Sequence, residues 1–292
     1  MPNTTANGLT IEYETTGDRA DPAMLLVMGL GGQLIYWPDG FCQALADRGY
    51  FVIRYDNRDV GLSSRLESAG VPDLGALMQG KGDSPYLLSD MAADGIGLLD
   101  ALGLAAAHVV GASMGGMIAQ HMALDHPARV LTLCSIMSTP TGRMDADPPT
   151  PEANAVLMRP VPTGRDEAID ASVEAAKVVG SPGFPLDEAA VRDLAGRSFD
   201  RGFYPLGPMR QFAAILATGD WSARLKALDV ATLVIHGDAD PLVRPSWGRK
   251  TAEAIPGARF LAIPGMGHNL PEGAWPTLVD AIVANVEAAA ER

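Results

Sequence analysis

Ser113 stands in the run Gly111-Ala112-Ser113-Met114-Gly115-Gly116, and His268 and the aspartates Asp238 and Asp240 follow much later in the chain. A serine hydroxyl becomes a nucleophile when a base takes its proton. An imidazole suits that task because it titrates near neutral pH, and a carboxylate orients the imidazole and stabilises its charged form. Together these residue types point to acyl transfer. The residues before Ser113, Ala107-His108-Val109-Val110, read as a buried strand. The alanine- and methionine-rich stretch from Met117 to Leu124 reads as a helix that His126-Pro127 stops. A serine in such a turn is a nucleophile elbow. Gly111 and Gly115 lie where any side chain would collide with strand or helix, and the first helical N–H groups favour the negative charge that develops on an attacked carbonyl oxygen.

The chain holds 5 histidines as candidate bases. His268 lies in Pro264-Gly265-Met266-Gly267-His268-Asn269, a short loop between a strand and a helix, and loops at the carboxyl ends of parallel strands are where such sheets place their sites. For the others, structural roles are expected: His108 in core packing, His121 on a helix surface, His126 at a helix end, and His236 at the sheet's edge. Asp240 is the favoured acid because Pro241 fixes the turn behind it, with Asp238, a natural Asx-turn residue, as runner-up. The order Ser113, Asp240, His268 is the one expected of an elbow-bearing sheet. For the oxyanion, Met114 N–H opens the helix and supplies one donor. The second comes from the loop Met28-Gly29-Leu30-Gly31-Gly32-Gln33, with Leu30 N–H assigned and Gly31 as the alternative. Phosphate binding there is disfavoured, since no Gly-Lys-Ser/Thr follows.

These groups need a scaffold, and the sequence alternates strands with helices, the pattern of a mostly parallel sheet covered on both faces. Strands are expected at Thr10–Thr15, Ala23–Met28, Tyr50–Tyr55, Ala107–Ala112, Val130–Ile136, Thr232–His236 and Arg259–Ile263. Helices are expected at Phe41–Arg48, Ser89–Leu102, after Ser113, at Ser246–Ala254 and at Pro271–Ala289. From Thr139 to Asp220 prolines interrupt the pattern and helical stretches such as Asp166–Val179 and Asp187–Arg197 replace strands. A structureless loop of that length is improbable in a compact domain, so residues 139–220 are expected to form a helical cap inserted into a core of residues 1–138 and 221–292.

With 292 residues, 47% of them hydrophobic, the chain can bury a large core. A formal charge of −13, from 22 basic against 35 acidic residues, argues against nucleic acid as a partner. The residues Met1 to Gly8 lack a basic start and an apolar stretch, and no segment approaches the roughly 20 apolar residues of a membrane helix. Cys42 and Cys134 lie apart inside apolar segments, as small buried hydrophobes do, and no metal-ligand spacing of Cys or His occurs. The expected location is cytoplasmic, without a membrane partner; nothing in the chain bears on oligomeric state.

The motifs resemble the α/β-hydrolase superfamily. The resemblance rests on Gly111-Ala112-Ser113-Met114-Gly115-Gly116, His236-Gly237-Asp238-Ala239-Asp240-Pro241 and Gly267-His268, and spans nearly everything outside residues 139–220. Trp37-Pro38-Asp39, the run Val52 to Gly61 and Ile263-Pro264-Gly265-Met266-Gly267-His268 are similar to the esterase branch that includes aclacinomycin methylesterase. Met28-Gly29 stands where the wider family has His-Gly. The resemblance implies hydrolysis of a small-molecule ester through an acyl-enzyme, with no cofactor. Cleavage of a carbon–carbon bond or perhydrolysis would use the same residues, and a slow-turnover ligand sensor is a further alternative. Dehalogenases and epoxide hydrolases of this superfamily carry aspartate where this chain has Ser113. Asp56, Arg58 and Asp59 are expected to form a buried ion-pair turn that braces the site. Trp37, Met144, Met158, Phe203, Tyr204, Met209 and Phe212 are candidates to line an apolar substrate pocket, with packing as the competing role for each.

Overall fold

The computed structural model describes residues 2–290; Met1, Glu291 and Arg292, which the sequence reading assigns to the core, lie outside them. Its strands are β1 (Asn3–Ala6), β2 (Leu9–Thr16), β3 (Ala23–Val27), β4 (Phe51–Tyr55), β5 (Ala107–Ala112), β6 (Val130–Ile136), β7 (Ala231–Gly237) and β8 (Arg259–Ile263). They form an 8-stranded sheet in the order β1-β2-β4-β3-β5-β6-β7-β8. Neighbours from β4 to β8 are parallel, whereas β1 and β2 pair antiparallel. β1 escapes the sequence reading because Asn3-Thr4-Thr5-Ala6 has no apolar alternation. It forms as an edge strand, returned by a turn whose Asn7 and Gly8 both take positive φ.

The helices are α1 (Asp39–Ala46), α2 (Leu74–Met78), α3 (Leu88–Ala101), α4 (Met114–Asp125), α5 (Pro151–Leu157), α6 (Arg165–Val179), α7 (Glu188–Gly202), α8 (Leu206–Thr218), α9 (Pro245–Ala254) and α10 (Trp275–Ala290). Strand residues alternate between two cores. Leu25, Val27, Ile53 and Val109 pack with Leu98 of α3 and Met117 and Ile118 of α4. Met24, Leu26, Val52 and Val110 pack with Phe41 and Leu45 of α1 and Leu278 and Ile282 of α10. Burial on both faces explains why these strands read as continuous apolar runs. Cys42 and Cys134 are both free and buried. Among the described residues no helix is long and apolar enough to cross a membrane.

Between β6 and β7 the chain runs through α5, α6, α7 and α8, and an antiparallel bridge between Thr141 and Asp220 joins the two ends of this segment. Gly142 has no space for a side chain, because a Cβ there would overlap the Ile215 carbonyl oxygen. α8 sits deepest, with Ala214 and Ile215 in the same core as α3 and α4. Proline does not prevent this helix. Pro208 falls in its first turn, where a missing N–H removes no intrahelical bond.

The expected ion-pair turn of Asp56, Arg58 and Asp59 is replaced by pairing with distant partners. Asp56 pairs with Arg201 of α7 at 2.6 Å, Arg58 with Asp94 of α3 at 2.6 Å, and Asp59 with Arg210 of α8 at 2.8 Å. Adjacent residues cannot satisfy one another's full hydrogen-bonding geometry, whereas a guanidinium arriving from another helix meets a carboxylate with two parallel bonds, as Arg210 Nε and Nη2 do on Asp59. Both members of the Asp59–Arg210 pair are fully buried. Arg210→Ala would strand the Asp59 carboxylate without its counter-ion, and we expect it to cost about 3–5 kcal/mol in urea unfolding. A loss below about 1 kcal/mol would show that the pair does not anchor α8.

Candidate active site

The turn after β5 is strained. Ser113 takes φ 56° and ψ −122°, a left-handed conformation that costs a side-chain-bearing residue on the order of 1–3 kcal/mol. Its N–H donates to Ile136 O at 2.9 Å, and Ser138 Oγ donates to its carbonyl at 2.8 Å. The glycines around it are required by close backbone approach. A Cβ on Gly115 would overlap the Val27 carbonyl oxygen, and one on Gly111 would overlap the carbonyl of Gly115. α4 therefore begins at Met114, directly beneath the serine, with its free N–H groups at the site.

The structure brings together Ser113, His268 and Asp240, which extend from the carboxyl ends of β5, β8 and β7. His268 Nε2 lies 2.9 Å from Ser113 Oγ, and His268 Nδ1 lies 2.7 Å from Asp240 Oδ2. An ionised carboxylate only accepts, so Nδ1 carries the proton and Nε2 is left to accept from the serine hydroxyl. Asp240 Oδ1 accepts from Leu242 N–H at 2.9 Å and Val243 N–H at 3.0 Å. Burial alone would raise the Asp240 carboxyl, but the charges and hydrogen bonds of His268 and His236 outweigh it and hold it well below the usual carboxylate range. Asp238, the runner-up, is exposed and caps the neighbouring loop by accepting from Gly265 N–H at 2.7 Å.

His236 is not at the sheet's edge. β7 lies between β6 and β8, and His236 is fully buried with Nε2 2.8 Å from Val243 O and 3.4 Å from Asp240 Oδ2. A carbonyl oxygen only accepts, so Nε2–H donates to Val243 O and holds the turn that presents Asp240. The spacing of four between the two residues was visible in the sequence, but not that a β-strand end followed by a turn would fold one back onto the other.

The loop after β3 passes over the serine: a Cβ on Gly29 would lie 3.1 Å from that of Ser113. Gly31 N–H is engaged, donating to Gln211 Oε1 of α8 at 2.8 Å. Among the described residues, Leu30 N–H and Met114 N–H donate to no protein acceptor. The loop is braced from below by Asn57 Nδ2, which donates to Met28 O at 2.9 Å, and by Asp56 Oδ1, which accepts from Leu34 N–H at 2.7 Å. Gln33 Nε2 donates to Ser198 O of α7 at 2.7 Å. Gln211 and Gln33 carry no local sequence signal, because their partners come from other elements.

The expected pocket residues separate. Trp37 is 0% exposed, stacked on Phe41 with ring centroids 5.6 Å apart and packed among the residues of α1 and α10, so it belongs to the core and not to an open pocket. An indole enclosed by helices on the far face from α3 and α4 gains more from burial than from lining a cleft. Tyr204 hydrogen-bonds Arg210, and Phe203 stacks on Phe199 with centroids 4.5 Å apart. Met144, Met209 and Phe212 are half-buried, Phe212 against the α3/α4 core, while Met158 at the end of α5 is 47% exposed.

The depressed Asp240 carboxyl links the site to stability. Its folded value lies below the unfolded one of about 3.9, so the ionised group stabilises the fold above that pH, and the contribution is lost as pH falls through the folded value. Asp240→Asn is expected to cost stability at neutral pH, with the gap to wild type narrowing below about pH 5. Denaturant unfolding at neutral and acid pH checks this, and a gap that widens in acid would contradict it.

Comparison with known proteins agrees with this architecture. The model of the alpha/beta hydrolase fold family matches residues 22–273. Rhodomycin D methylesterase DauP of Streptomyces sp. (strain C5) is 33% identical across 98% of this chain and 97% of that protein, and DnrP of Streptomyces peucetius, also a rhodomycin D methylesterase, is 33% identical over the same shares. The esterase RhEst1 from Rhodococcus sp. ECU1013 shares the fold, with a TM-score of 0.77 at 22% identity and 98% of each chain covered. The elbow, the mostly parallel sheet and the full-length likeness to the methylesterases together place this chain in the alpha/beta hydrolase fold family.

Proposed function

We propose that the protein is a serine carboxylesterase that hydrolyses a small to medium apolar carboxylic ester, a methyl ester in the first instance, through an acyl-enzyme. The observation that carries this reading is the hydrogen-bonded chain from Ser113 Oγ to His268 Nε2 at 2.9 Å and from His268 Nδ1 to Asp240 Oδ2 at 2.7 Å. The methylesterase relatives support the methyl ester.

In this mechanism Ser113 Oγ attacks the ester carbonyl while His268 Nε2 takes its proton. Asp240 holds the imidazole in the required tautomer and stabilises the imidazolium. The N–H groups of Leu30 and Met114, neither of which donates within the described protein, hold the oxyanion, aided by the positive end of α4. His268 then returns the proton to the leaving alcohol. Water then enters and attacks the acyl-enzyme as His268 takes its proton, and His268 returns that proton to Ser113 Oγ as the bond to the serine breaks and the acid leaves. The segment of residues 139–220 serves as a cap over this site, and its half-buried Phe203, Met209 and Phe212 supply apolar surface for the substrate. No step calls for a cofactor.

Steady-state hydrolysis of chromogenic acyl esters of graded chain length, and of methyl esters of the same acids, tests the reading. Wild type is expected to turn over, with Ser113→Ala lowering kcat/KM by about 10⁴-fold or more. Activity that survives Ser113→Ala, or a burst without turnover, would instead favour other chemistry or a ligand sensor.

A further inference from the structure

The connector between α6 and α7 runs alongside the loop that carries His268. Val179 O accepts from His268 N–H at 2.7 Å, and Ser181 Oγ accepts from Gly267 N–H at 2.8 Å while its hydroxyl donates to Asn269 Oδ1. Gly267, His268 and Asn269 are thus each bonded to Val179 or Ser181. The two backbones touch. A Cβ on Gly267 would overlap the Gly180 carbonyl oxygen, and Gly183 N–H donates to Gly265 O at 2.9 Å where a Cβ on Gly183 would come 2.7 Å from Gly265 Cα.

The loop itself is poorly constrained by its own sequence. Pro264-Gly265-Met266-Gly267 contains two glycines, Gly265 at φ 71°. Asp240 fixes the imidazole through one ring nitrogen but not the peptides on either side of His268. The His268 N–H and the Gly267 N–H before it are held from the helical segment.

We infer that Ser181 is a positioning residue for His268: its hydroxyl holds the Gly267 N–H on one side of the histidine and the Asn269 side chain on the other, and so sets where Nε2 meets Ser113. Ser181 touches no substrate in this role. The inference rests on reading Ser113 and His268 as nucleophile and base. It makes the helical segment a determinant of rate and not only of access, because displacing the connector would loosen the base.

The test compares wild type, Ser181→Ala, Ser181→Thr and Ser113→Ala on one ester, measuring kcat and KM, thermal unfolding, and the downfield proton NMR signal of His268 Nδ1–H. Ser181→Ala is expected to lower kcat about tenfold to a hundredfold with KM within about twofold, and to weaken or shift the Nδ1 proton signal. Ser181→Thr keeps the hydroxyl and a conformation compatible with Pro182, so it is expected to keep kcat within about threefold of wild type. A Ser181→Ala kcat equal to wild type, a loss confined to KM, or a Thr variant as impaired as Ala overturns the proposal. Should Ser181→Ala fail to fold, Asn269→Ala, which breaks one of the two bonds of the hydroxyl, is measured in its place, and an unchanged kcat there overturns it equally. Turnover that survives Ser113→Ala removes the catalytic reading and this inference with it, whereas turnover lost in Ser113→Ala but intact in Ser181→Ala removes the inference alone.

Discussion

The site depends on one contact between bare backbones, where Gly115 at the start of α4 meets the Val27 carbonyl at the end of β3. Only hydrogen fits there. That approach brings the first turn of α4 under the loop from Met28 to Gln33 and lays Gly29 against Ser113. The serine's left-handed backbone is the local consequence, and the neighbouring strand holds it in place through the bond from Ser113 N–H to Ile136 O. Strain of this kind persists only where surrounding structure over-determines it. Here the parallel registers of β5 with β3 and β6, both buried on two faces, provide that support.

The helical segment between β6 and β7 is tied to the core at the places that matter for chemistry. Arg201 and Arg210 reach Asp56 and Asp59 just past β4, Gln211 takes the N–H of Gly31, and the α6–α7 connector clasps the histidine loop. Burial pushes the Asp56 carboxyl up and Arg201 opposes that shift, the balance expected of a desolvated ion pair. Such pairs add little net stability compared with apolar packing, yet breaking one is costly, so they specify position.

The grouping of Ser113 with His268 and an aspartate after β7 was legible in the sequence because each sits in a turn with its own local chemistry: glycines that admit close backbone approach, a proline behind Asp240, a loop between strand and helix. Most strands were legible for a related reason, since double burial leaves runs of apolar residues. β1 was not, being a polar edge strand recognisable only by its partner. α8 was obscured by Pro205 and Pro208, which read as breakers but fall at its start. Trp37 misled because an aromatic residue near a glycine loop has the same appearance whether it lines a cleft or fills a core.

By itself the sequence determined the elbow, the chain order of serine, acid and histidine, the alternating architecture and hence the family, because these follow from backbone preferences acting over a few residues. The tertiary structure decided which aspartate meets His268, that Gly31 is engaged while Leu30 N–H is left without a protein acceptor, and which arginine answers which buried carboxylate. Asp56 and Arg201 are separated by 145 residues and Asp59 and Arg210 by 151, so no local pattern links them. Their pairing is set by desolvation: once packing has removed water from a carboxylate, the guanidinium that packing has also brought within reach becomes its partner.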